Sequence, residues 1–149
     1  SQKSCFLIGH EKASEKIYPA LYAAIEEHIT RYGVTEFMVG RYGNFDSLAA
    51  KAVKTTKQSH PEVELTLLLP YHPAERPIPV PDGFDSTYIL RAWKGTRKVA
   101  IVRANRYIVD HTDFLIAYAG ALPATQEIFW NMQGRGGKRF HPGDSLAAQ

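Results

Sequence analysis

The sequence predicts an α/β fold: a single Rossmann-like three-layer domain with a mostly parallel sheet and helices on both faces. Three observations carry that expectation. Short apolar, β-branched runs alternate with stretches of helical periodicity, as βαβ units require. Several of the runs end in glycine-bearing turns that lead straight into a helix. The length, 149 residues, suits one compact domain with one core.

The first strand reads Ser4 to Ile8 and ends at Gly9-His10. Ser14 is the expected N-cap of a helix running to about Tyr32, and Gly33 its stop. Within it Ile17, Leu21, Ala24, Ile25, His28 and Ile29 follow helical spacing, which puts His28 at the edge of a core-facing stripe. A second strand, Glu36 to Val39, passes through Gly40-Arg41-Tyr42-Gly43-Asn44-Phe45-Asp46 into a helix from Ser47 to Ser59.

The run Val63 to Leu69 is almost continuously apolar, as in a parallel strand covered on both faces, and is expected near the sheet centre. Pro70, Pro73, Pro77, Pro79 and Pro81 then forbid a regular element and predict an extended loop. There follow a short strand at Tyr88 to Leu90, a helix from Thr96 to His111, a strand at Phe114 to Ala119 and a last helix from Pro123 or Ala124 to Gln133. The stretch after Gly134 is read as a short tail or one edge strand near Lys138 to His141.

The lone cysteine, Cys5, lies in an apolar run, so a disulfide framework is excluded and a reducing, cytoplasmic setting is expected. No apolar stretch approaches the ~20 residues that cross a bilayer, so no membrane partner is expected. The net charge of +3 and pI of about 9.0 are mildly basic and compatible with anionic ligands. Lys51, Lys54 and Lys57 share one helix side, and Arg135, Lys138 and Arg139 lack interleaved aromatics, so nucleic acid is not the expected partner. The histidines show no metal-site spacing, and no metal is predicted. No nucleophile-elbow pattern occurs.

Ligands of open α/β sheets bind outside the carboxyl ends of the strands, where helix N-termini direct N–H groups outward. Three loops belong there: Gly9-His10-Glu11, Gly40 to Asp46, and Ala119 to Glu127. Gly40 and Gly43 permit a close backbone approach to phosphate, with Arg41 and Tyr42 between them. The Asp46 carboxylate serves equally as a helix cap or a ribose-hydroxyl acceptor. Gly120 and Thr125 suit an anion, and Glu127 falls in a first helical turn. On the helix before the last strand, Arg103 and Arg106 are candidates for a phosphate, although Arg106 can also pair with Asp110 at i,i+4.

Three stretches together resemble the SLOG superfamily, and within it the YpsA-like proteins of uncharacterised function: Phe6-Leu7-Ile8-Gly9-His10, Gly40 to Ala49, and Arg103-Ala104-Asn105-Arg106-Tyr107-Ile108-Val109-Asp110-His111-Thr112-Asp113. The superfamily is related to the LONELY GUY and lysine-decarboxylase-like Rossmann proteins. The resemblance implies a domain binding a nucleotide or nucleotide-derived ligand, with some members sensors and others enzymes, and it also implies a homodimer. LONELY GUY phosphoribohydrolases hold a nucleoside monophosphate with Pro-Gly-Gly-x-Gly-Thr-x-x-Glu. Here the matching stretch, Ala119-Gly120-Ala121-Leu122-Pro123-Ala124-Thr125, lacks the second and third glycines, and Ile128 stands three residues after Thr125.

The leading expectation is therefore a binding module for a phosphorylated, nucleotide-like small molecule, with no further cofactor. Arg103 or Arg106 would balance the phosphate, and Tyr42 or Tyr71 would lie near the base. The alternative is a nucleoside-monophosphate N-glycosidase using Glu127 or Asp46 to activate water or stabilise charge on the ribose. Single-stranded nucleic-acid binding is a third class, supported only by the basic charge and the related fold. Trp93 and Trp130 fit a helix-face interface or the core equally well.

Overall fold

The computed structural model describes residues 2–41, 43–69, 80–89, 103, 106–118 and 129–133, the last of these as backbone. Five strands run parallel: β1 (Lys3–Gly9), β2 (Val34–Val39), β3 (Glu64–Leu69), β4 (Ser86–Ile89) and β5 (Phe114–Tyr118). With β6 (Phe129–Gln133) antiparallel to β5, the order across the sheet is β4-β3-β2-β1-β5-β6. The expected Rossmann-like α/β architecture is present. In β3 and β5 consecutive residues are buried, the pattern of parallel strands covered on both faces. By contrast β4, hydrogen-bonded to β3 alone among the described residues, alternates between exposed and half-buried.

One face of the sheet carries α1 (Tyr18–Thr30) and α2 (Asn44–Thr56). Leu21 and Ile25 of α1, with Phe45, Ala49, Ala52 and Val53 of α2, are fully buried in one cluster with Cys5, Leu7, Phe37, Val39, Leu65, Ile116 and Tyr118. The other face packs Phe6, Met38, Leu68, Leu115 and Ala117 against Ile108, with Tyr107 and Val109 alongside, in a helical segment over residues 106–111. Adjacent strand residues thus feed opposite layers, Phe6 one core and Leu7 the other. Burial pushes the Cys5 thiol far above its ordinary range, which keeps it an uncharged packing group.

Several boundaries differ from expectation for local reasons. Ser14 caps a short 3-10 turn, Glu15–Ile17, by accepting the Lys16 N–H at 3.1 Å, and α1 itself starts at Tyr18 with Pro19 in its first turn. Gly33 at φ 73° ends the connection as expected. Rather than sitting at the edge of the α1 stripe, His28 is 2% exposed; its Nδ1 bonds the Ala24 carbonyl at 2.7 Å and its ring meets Phe114 edge-on. The two central strands are β2 and β1, with β3 one position in from the edge. A continuous apolar run reports coverage on both faces, which every interior strand shares.

The largest correction is at the end of the described chain. Residues expected in a helix from about Ala124 to Gln133 include β6, which pairs Tyr118 with Phe129 and Phe114 with Gln133. Trp130 is consequently on a strand, opposite Ala117, and not on a helix face. A short apolar run does not distinguish the two states by periodicity alone, and the backbone groups on the open side of β5 give a strand its partners. Among the described residues no helix is long and apolar enough to cross a membrane. The proline-rich loop over 70–79, the helix start at Thr96, Trp93 and the segment Lys138 to His141 lie outside the described residues.

At the amino edge of the sheet, Asp85 joins three elements. It accepts from Lys57 Nζ beyond the end of α2 and from the Leu65 N–H of β3 at 2.7 Å, while its own N–H donates to the Leu65 carbonyl at 2.8 Å. Partial burial raises its pKa, but the bonds from Lys57 and Leu65 and the Lys57 charge outweigh that and leave the carboxyl below its usual value. Because the folded value is depressed, the contribution is complete above the unfolded carboxylate value of about 3.9 and is lost as pH falls through the folded one. We therefore expect Asp85→Asn to lower Tm most at neutral pH, with the gap from wild type closing below about pH 4 in thermal unfolding scans.

Candidate functional site

The chain leaves β1, moves outward through β2 and β3 to the β4 edge, and returns to the other side of β1 as β5. The strand order therefore reverses between β1 and β5, the place where connections diverge and open sheets form their ligand crevice. Gly9, His10, Gly40, Arg41, Gly43 and Asp46 all fall at the carboxyl edge beside this point, on the β1–α1 and β2–α2 connections and the first turn of α2. Tyr42, Tyr71, Gly120, Thr125 and Glu127 lie outside the described residues. Arg103 and Arg106 are helical and exposed, and the 106–111 segment that carries Arg106 packs on the face of the sheet opposite α2.

The β1 end is tied to its neighbours by backbone bonds. His10 N–H donates to the Tyr118 carbonyl at 3.2 Å, extending the β1–β5 pairing past Gly9, and Ala13 N–H donates to the His10 carbonyl at 3.1 Å. On the other side Asn44 N–H, the first of α2, donates to the Glu11 carbonyl at 2.7 Å. One of the N-terminal donors of α2 is thereby satisfied by protein rather than held out for a ligand.

Two glycines make this junction. Gly43, the N-cap of α2 with extended backbone, gives no side-chain cap, and a Cβ there would collide with the Glu11 backbone. The room predicted for a phosphate is filled on that side by the first loop. Gly9 is crowded in the same way, because a Cβ would collide with the ring of Phe45. That ring is fully buried and lies nearly parallel to Tyr118, 9° between planes with centroids 6.3 Å apart. Asp46 is inside the first turn of α2, which begins three residues earlier than the expected Ser47, so it adds negative charge where the dipole favours it and is not the N-cap.

Sequence reasoning named the glycines but missed their partners Glu11, Phe45 and Tyr118. Phe45 within the Gly40 to Asp46 turn was the available signal, since an aromatic among turn residues must find apolar cover. The charges at this edge are mixed: Lys12 and Arg41 are exposed on the two connections, with Glu11 beside Lys12 and Asp46 in the first turn of α2. Among the described residues no three His, Cys, Asp or Glu side chains group as a metal site.

Gly9→Ala should destabilise the fold by about 1–3 kcal/mol, the usual cost of overpacking. Combining it with Phe45→Leu should cost less than the two single losses added, because the second change vacates the space the first needs. Urea unfolding of the four proteins measures this coupling, and simple additivity would show that Gly9 and Phe45 do not meet. A comparison with protein-family models finds none that matches the chain, and none of the curated proteins matches it.

Proposed function

We propose that the chain binds a nucleotide or a nucleotide-derived phosphorylated small molecule at the carboxyl edge of the sheet, beside the β1–β5 switch point. The observation that carries this reading is the reversal of strand order at β1, with the β1 end, the β5 end and the α2 N-terminus locked together around it. The helix terminus favours the anionic part of such a ligand, and Lys12 and Arg41 supply exposed positive charge on the adjoining loops. The SLOG-like motifs around Gly9 and Gly43 point to the same ligand class. Gly9 and Gly43 act indirectly, by letting the loops and α2 pack closely, which leaves His10, Arg41 and the α2 terminus as the groups available to the ligand.

The hydrolase alternative retains one specific support, the Asp46 carboxylate on this same edge. It would act on a nucleoside monophosphate by holding water or the charge developing on the ribose.

A thermal-shift screen with nucleoside mono- and diphosphates, NAD, ADP-ribose and cyclic nucleotides tests binding. A ligand present at ~100 times its Kd should raise Tm by roughly 5–10 °C, and Arg41→Ala should reduce that shift. No shift with any member of the panel overturns the nucleotide reading. Incubation with the monophosphates tests turnover: free base appearing with wild type and falling by about 10²–10⁴ in Asp46→Asn supports the alternative, and no release removes it.

A further inference from the structure

We draw no further inference here: the strongest candidate, the outer edge of β4 with the exposed side chain of Tyr88 on it, is hydrogen-bonded to β3 alone among the described residues, and nothing in the structure shows what covers it.

Discussion

The structure of the carboxyl edge depends on one close approach, that of the β1–α1 loop to the N-terminus of α2. The Asn44 N–H bonds the Glu11 carbonyl, and Gly43 has no side chain because the Glu11 backbone occupies that volume. The same approach brings Phe45 over Gly9 and against Tyr118, so one aromatic ring links α2 to β1 and β5 together. A residue with a Cβ at either glycine would push the helix away from the sheet at the place where the strand order reverses. Interiors are packed too densely to absorb such a push locally.

The two ends of the α2 layer are held by different physics. At the carboxyl edge the contacts are a buried aromatic ring and backbone hydrogen bonds, whose strength varies little with salt or pH. At the amino edge Asp85 gathers Lys57, β3 and β4 through a half-exposed ion pair and backbone bonds, an arrangement that is screened by salt and lost in acid. The helix therefore has a packed end beside the candidate site and an electrostatic end away from it.

The motif residues gain their meaning from what surrounds them. Gly9 and Gly43 were legible as positions needing a bare backbone, yet the body approaching each is another part of the chain, Phe45 in one case and Glu11 in the other. His10 was legible as the residue after a strand, while the bond from Lys12 to its Nδ1 was not, because it depends on the turn the loop adopts. Asp46 looked like a cap, but α2 begins at Asn44 and takes it into the first turn. Packing on Glu11 compensates for the side-chain cap that Gly43 does not supply.

By itself the sequence determined the α/β class, the β1, β2, β3 and β5 strands and the stop at Gly33. All of these follow from local quantities: the period of apolar residues, the turn preferences of glycine and the burial pattern of parallel strands. Only the tertiary structure decided that Phe129–Gln133 is an antiparallel strand, that His28 is buried against Phe114, and that β1 and β2 lie at the centre. Each of those depends on which surface a segment meets. A run such as Phe-Trp-Asn-Met-Gln becomes a strand because β5 offers it hydrogen-bond partners, and those partners are remote from it in the sequence.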